Sequence, residues 1–476
     1  MRPPPFAGEP LVSVVVPPLE PTLGGQLPLL ELERAGFEAE LGAPVEFVAS
    51  DAGCGPRWLL VLDPEHESPP VTSWEPGASE IVSRAKDVAG LFECLNLWRT
   101  AWRLGAATEG VDCVTIDEAI ERVVTEVACT YPAFELHGHD WDEISARHVD
   151  RVQRADDPLS ALQTWLAELD DSHTWVWPGH GNLPYVLEVL ADSVTFAQVP
   201  EGTPGDAAGV QPGWQLLSID DRPPDGRAWL ARTAAPAHSR PFLAGRRLLA
   251  GPSGTPRSLV AAGPGGRKVV WEDEPTFEPW AQPVMWRRLA SGAGYLRIAA
   301  WLEGIEDEID AALVELGGSE KLIVDVRRNH GGSLLVAART RDRFLRTETT
   351  LGSIRYSDGS GGLAPPVALT SGPADEGRWP GRLIVLTDAL TFSSSEDFLL
   401  GLQGLAHVTV AGTPSGGGSG RPRSVRLLPG WTLTVSTALT YDRDGHCVEG
   451  AGIPVDVPLL PSGGEVDAVL EAAERL

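Results

Sequence analysis

Leu322-Ile323-Val324-Asp325-Val326-Arg327-Arg328-Asn329-His330-Gly331-Gly332 begins as an apolar run that reads as a buried strand and ends in a paired glycine. Ahead of it, Glu306 to Leu316 has helical spacing, and Gly294-Tyr295-Leu296-Arg297-Ile298 reads as another strand. Strand, helix and strand in that order are the βαβ alternation of a mixed α/β sheet. Farther along, Leu383-Ile384-Val385-Leu386 repeats the buried-strand pattern and leads into Thr391-Phe392-Ser393-Ser394-Ser395-Glu396-Asp397, with a helix expected from Asp397 to Leu402. Ser393 thus stands on a strand-to-helix turn. Such a turn projects a hydroxyl while helix-start amides point to where negative charge develops. A serine-rich turn taken alone also serves as a plain N-cap region.

Two other stretches supply what a lone serine lacks. Upstream lies Leu169-Asp170-Asp171-Ser172-His173-Thr174, and downstream Val448-Glu449-Gly450-Ala451-Gly452-Ile453-Pro454-Val455-Asp456. A serine, a histidine, a carboxylate and a glycine turn are the parts of an acyl-transfer site. A serine hydroxyl is a poor nucleophile near neutral pH, so a neutral imidazole must take its proton and return it to the leaving group. His173 is the base in this reading. Glu449 fixes its tautomer and stabilises the imidazolium, and Ser172 orients the carboxylate or the leaving group. The backbone amides of Ser394 and of Gly331 or Gly332 would hold the oxyanion, because glycine lets the main chain approach a substrate closely. His173 has an alternative role at the edge of the apolar strand Thr174-Trp175-Val176-Trp177, and Glu449 as a solvated loop acid. His330, beside the glycine pair, reads as pocket lining.

These segments resemble, in order, motifs of the S41 family of C-terminal processing and tricorn-like serine peptidases, over roughly residues 111 to 476. Asp325 to Gly332 is similar to D-x-R-x-N-x-G-G, Ser393 to Glu396 to S-x-x-E, and Glu449 to Asp456 to E-G-x-G-x-x-P-D. One variant of the family uses a serine–lysine pair, with the lysine in a Gly-Lys-Gly turn; here that stretch reads Thr413-Pro414-Ser415-Gly416-Gly417-Gly418-Ser419-Gly420. The resemblance is therefore to the tricorn-type Ser-His-Glu variant. It implies a multidomain α/β chain with an S41-type (ClpP/crotonase-like) mixed α/β catalytic core. It also implies a serine peptidase acting on peptides or unfolded protein. A non-catalytic ligand-binding protein on the same scaffold, or a hydrolase of a non-peptide ester or amide, are the other readings.

The expected organisation has four parts. Residues 1–110 form an N-terminal accessory α/β domain, with strands at Leu11 to Val16 and Trp58 to Leu62 and a helix from Ala85 to Arg103. Residues 111–183 form a helical lead-in, with Ile120, Val123 and Val127, then Leu159, Leu162, Trp165 and Leu166, at helical spacing. Residues 184–280 resemble a β-rich PDZ domain through Ala208-Gly209 to Ile219, with Trp214 where an aspartate is usual. Such modules add a peptide strand to a sheet edge and hold its carboxylate in backbone amides, which places Leu183-Pro184-Tyr185 at the substrate-binding loop. Residues 281–476 form the catalytic domain. Within it, Gly352 to Gly381 is rich in Gly, Pro and Ser and reads as a long loop able to gate the cleft.

Composition excludes several classes. With 476 residues, roughly two to four domains are expected. Five scattered cysteines, Cys54, Cys94, Cys113, Cys129 and Cys447, argue against a disulfide framework. Lys plus Arg total 38 against 66 for Asp plus Glu, a formal charge of −28 that disfavours nucleic acid and anionic membranes and weakly attracts cationic peptides. His137, His139, Asp140 and Asp142 look at first like metal ligands, but Asp140 is a natural N-cap, and neither H-E-x-x-H nor C-x-x-C occurs. No metal and no cofactor are expected. The start, Met1-Arg2-Pro3-Pro4-Pro5, has no leader pattern, and no apolar run approaches the roughly twenty residues of a membrane span. A cytoplasmic protein with peptide substrates is the expectation, with room for a homo-oligomer.

Overall fold

The computed structural model describes residues 113–276, 282–357, 361–374, 377–460 and 467–476, with the backbone of five strands ahead of them. Those five form a sheet in the order Val45–Val48, Leu11–Val15, Arg57–Leu62, Glu80–Ala85, Val71–Ser73, parallel except at the last pair. The helix expected from Ala85 to Arg103 lies outside the described residues, apart from Ala85, which ends a strand.

The central sheet runs Val284–Arg288, Gly294–Ile298, Lys321–Asp325, Arg382–Thr387, Val408–Gly412, Val457–Pro458. Its first pair is antiparallel and the rest are parallel. Both faces are covered, which is why its inner strands read as unbroken apolar runs. Leu322 and Val324 pack on one side, with Trp301, Phe344 and Phe398. Ile323, Ile384 and Leu386 pack on the other, against Val469 and Leu470 of the helix Ala468–Arg475. That helix is also tied by charge. Arg327 lies 2.6 Å from both Asp325 and Asp467, and Tyr295 donates to Asp325 at 2.9 Å. Burial alone would raise the Asp325 carboxyl, but Arg327 holds it below the ordinary range.

The helices Ile116–Thr130, Trp141–Gln153 and Pro158–Ala167 pack around Trp165, whose ring stacks on Trp141 at 5.3 Å. Asp140 caps the second of these by accepting from Glu143 N–H at 3.0 Å. This layer shares its core with Val425, Leu433 and Val435, on the strands Arg423–Arg426 and Thr432–Val435. Trp175–Trp177 completes that small sheet, so residues just after the helices are bound to the catalytic part.

Between the two lies an antiparallel sheet in the order Lys268–Asp273, Arg257–Ala262, Gln215–Ile219, Ser193–Gln198, Val186–Leu190. The helix Arg240–Leu248 packs on its last strand. One expectation is corrected here. The stretch from Gly352 to Gly381 is not a long loop, since it contains most of the strand Thr349–Tyr356 and all of Val367–Ser371, paired with each other and with Ala438–Asp442. Leu351, Ile354, Tyr356 and Leu369 are buried, and that burial outweighs the glycine and proline content. Among the described residues, no helix is long and apolar enough to cross a membrane.

Candidate active site

The Arg382–Thr387 strand ends in a turn laced to the Asn329 loop. Phe392 N–H and Ser395 Oγ both donate to Asn329 O at 2.9 Å, and Asn329 Nδ2 donates to Ile298 O at 3.2 Å. The turn brings Ser393 to φ 59°, ψ −125°, a conformation that L residues avoid, immediately before the helix Ser394–Leu402. The helix starts three residues earlier than expected, at Ser394 and not Asp397.

Glu396 holds this turn. Its Oε2 accepts from Ser393 N–H at 3.1 Å and Gly418 N–H at 2.9 Å; its Oε1 accepts from Ser415 Oγ at 2.6 Å and Gly417 N–H at 2.8 Å. Burial pushes its pKa up to about 7, and the four donors limit the rise. The next residues of the same loop reach the other candidates. Ser419 N–H donates to Glu449 Oε2 at 2.9 Å, and a Cβ on Gly420 would stand 3.2 Å from His173 Cβ. His173 stacks on Phe392, next to Ser393, with ring centroids 4.6 Å apart. Asp171 accepts from His173 N–H at 2.8 Å and from Thr174 Oγ1 at 2.7 Å, which fixes the turn that carries the histidine.

Ser393, His173, Glu449 and Ser172 are therefore gathered around one loop, but no hydrogen bond joins them. His173 Nδ1, Glu449 Oε1, Ser172 Oγ and the nearby Ser436 Oγ are buried without a partner. Burial lowers the His173 pKa below 6.5, with Asp171 opposing, and raises Glu449 well above its usual range, with Asp171 adding to the rise.

The glycine pair differs in its two members. Gly331 has φ 104° and sits so close that a Cβ there would stand 2.8 Å from Ser393 Cβ. Its N–H, however, donates to Asn329 Oδ1 at 3.0 Å. Gly332 N–H and Ser394 N–H donate no hydrogen bond among the described residues, which leaves them as the open donors beside Ser393.

Leu183, Pro184 and Tyr185 line a cavity of about 570 Å³ that reaches Ser172, His173, Gly331, Gly332 and Phe392. The Tyr185 hydroxyl is engaged internally, by Asp273, Gly205 N–H at 2.9 Å and Trp271 Nε1 at 3.0 Å. The Val186–Leu190 edge is not open to an added strand. A Cβ on Gly245 would meet Leu187 O at 2.4 Å, and one on Gly226 would meet Leu190 O at 2.1 Å, so helices abut that edge directly. His330 lines the cavity as well. The chain has three lysines, Lys86, Lys268 and Lys321; neither described one lines the cavity, and Lys321 donates to Glu474 O. His137 and His139 stack with centroids 5.4 Å apart, outside any cluster of three metal-binding groups among the described residues.

Residues 292–459 match the model of peptidase family S41. The chain carries an S41 peptidase domain. Its class is that of the serine-type peptidases, and the mixed α/β sheet is the S41 peptidase-type fold. The solved structure of mature CPAF complexed with lactacystin is similar over 75% of this chain and 96% of that one, at 14% identity and a TM-score of 0.59. The photosystem II D1 C-terminal processing protease is similar over 76% of this chain and 97% of that one, at 20% identity and a TM-score of 0.51. At these identities the likeness is one of fold. No curated protein matches the sequence.

Glu396 binds the S-x-x-E turn to the Ser415–Gly420 stretch, a link absent from the motifs taken separately. The signal was a glutamate three residues past a helix-start serine, the capping-box spacing. The role of Asn329 as a brace had no such signal.

Proposed function

We propose that this chain hydrolyses peptide bonds of peptides or unfolded proteins through an acyl-enzyme, with Ser393 as nucleophile, His173 as base and Glu449 as relay. The observation that carries this is the strained Ser393 turn, with free amides of Gly332 and Ser394 beside it and His173 stacked on the adjoining Phe392. A binding protein has no need of a serine in that conformation.

In the first step, Ser393 Oγ attacks the scissile carbonyl carbon as His173 takes the hydroxyl proton. The carbonyl oxygen becomes an oxyanion held by Gly332 and Ser394 N–H, aided by the helix N-terminus. Collapse breaks the C–N bond, and His173 passes the proton to the leaving amine. Water then repeats the sequence on the ester and frees Ser393. Burial keeps His173 neutral and fit to accept a proton. In this reading Glu449 Oε1 and His173 Nδ1, each buried without a partner, pair as the imidazolium forms, and catalytic hydrogen bonds are often open before substrate arrives. Ser172 and Ser436, whose hydroxyls are also buried without a partner, would orient the carboxylate. The 184–280 unit, which we read as PDZ-like, forms one wall of the cavity through Pro184 and Tyr185, next to Leu183, instead of adding a substrate strand.

The test is turnover of an unfolded protein and a mixed peptide library by the full chain. Cleavage that disappears in Ser393→Ala and in His173→Ala, with circular dichroism unchanged, supports the assignment. Cleavage retained by either variant refutes it.

A further inference from the structure

The cavity beside Ser393 carries the opposite sign to the chain. Among the described residues its lining includes Arg246, Arg247, Arg328, His173, His180 and His330 and no Asp or Glu, although the formal charge of the chain is −28. The weak attraction for cationic peptides expected from that total is thus not what the cleft offers, because a concave site responds to its own lining.

The three arginines are not equivalent. Arg247 is buried, lies 4.0 Å over the Trp175 ring, and donates to Arg232 O and Ser172 O. Arg328 has Nε 3.8 Å from Asp388 Oδ2 and is half committed to it. Arg246 reaches solvent at the cavity wall, is enclosed enough that burial lowers its pKa, and makes no hydrogen bond or ion pair among the described residues. It sits in the last turn of the Arg240–Leu248 helix, where a cation complements the helix dipole, but that gain is small and Arg247 is its neighbour. Arg246 and Arg328 line the same cavity as His330, Gly331 and Gly332, and burial first, then these two cations, hold His330 well below its ordinary pKa. A cationic cluster of this kind, with one acid in partial contact, is balanced when an anion enters.

We propose that Arg246, backed by Arg328, forms a subsite for a carboxylate of the substrate peptide close to the scissile bond. That carboxylate is an Asp or Glu side chain or the free carboxyl terminus; the chemistry of recognition is the same, a bidentate guanidinium pair. This rests on the peptidase reading above.

Matched peptides distinguish the sources: Glu against Gln at positions flanking the cleaved bond, and free acid against amide at the terminus of one sequence. The wild-type chain favours the anionic member of at least one pair by about tenfold or more in kcat/KM, as expected for a charged hydrogen bond. Arg246→Gln reduces that ratio towards one, and Arg246→Glu turns it towards Lys-bearing peptides. A response confined to the Glu/Gln pair assigns the subsite to a side chain, and one confined to the acid/amide pair assigns it to the terminus. No anionic preference in wild type, or equal losses on all four peptides in Arg246→Gln, overturns the proposal. Fluorescence anisotropy of the same peptides on Ser393→Ala reads binding without turnover. Discrimination there, with a wild-type chain that cleaves nothing, would refute the peptidase reading and leave the subsite standing.

Discussion

Replacing Glu396 by Gln tests whether one buried carboxylate holds the nucleophile turn. All four of its contacts are donors: Ser393 and Gly418 N–H on one oxygen, Ser415 Oγ and Gly417 N–H on the other. An amide keeps one oxygen and turns the other into an NH2 group that faces two donors. Two hydrogen bonds to a charged acceptor are lost, at about 1.5–3 kcal/mol each, so about 3–6 kcal/mol of stability goes if the loop cannot rearrange. For a domain of this size that is roughly 6–24 °C in melting temperature. Released from Glu396, Ser393 relaxes from φ 59° and turnover falls with it. The pH dependence gives a separate handle. The folded-state pKa of about 7 exceeds the ordinary 4.5, so the native protein holds this proton more tightly than the unfolded chain. Its contribution is therefore present at low pH and is lost as pH rises from about 4.5 through 7, by about 3 kcal/mol. Urea denaturation at several pH values, with steady-state kinetics, measures both effects. A Glu396→Gln variant with wild-type stability, wild-type kcat and an unchanged pH slope would refute the reasoning.

Other perturbations separate the remaining parts of the account. Activity should rise with pH as His173 loses its proton, with a midpoint below 6.5, and Asp171→Asn should move that midpoint lower because Asp171 raises the imidazole pKa; a rate that climbs into strongly alkaline pH contradicts a histidine base. Gly331→Ala should lower kcat by about a hundredfold or more, since the added Cβ falls 2.8 Å from Ser393 Cβ at a backbone φ of 104°, and kinetics near wild type would show that the turn gives way freely. Arg327→Met leaves Asp325 charged and buried without its main partner, so urea titration should show a loss of about 3–5 kcal/mol, and a loss under 1 kcal/mol would mean the network is loosely held.

The central sheet was legible because its strands are buried on both faces and so appear as continuous apolar runs, as at Leu322 to Val324. The Ser393 turn was legible because strand, serine and helix are consecutive in the chain. The contacts that organise the site were not. Glu396 reaches Ser415, Gly417 and Gly418 across a loop without periodicity, and Asn329 braces Phe392 and Ser395 through its main-chain oxygen, which no side-chain pattern reveals. The strands Thr349–Tyr356 and Val367–Ser371 were hidden by glycine and proline content, because their stability comes from pairing, the second on the first and the first on Ala438–Asp442, far along the chain. Charge misled for a related reason: the −28 is a sum over the chain, while the cavity presents Arg246, Arg247 and Arg328.

The central claim is that Ser393 is the nucleophile, and intact-protein mass spectrometry after reaction with a fluorophosphonate, followed by peptide mapping, tests it most directly. A single adduct on Ser393, absent in Ser393→Ala and slowed in His173→Ala, is the predicted result. An adduct on Ser172, Ser394 or Ser395, or an adduct that persists when Ser393 is alanine, would contradict it.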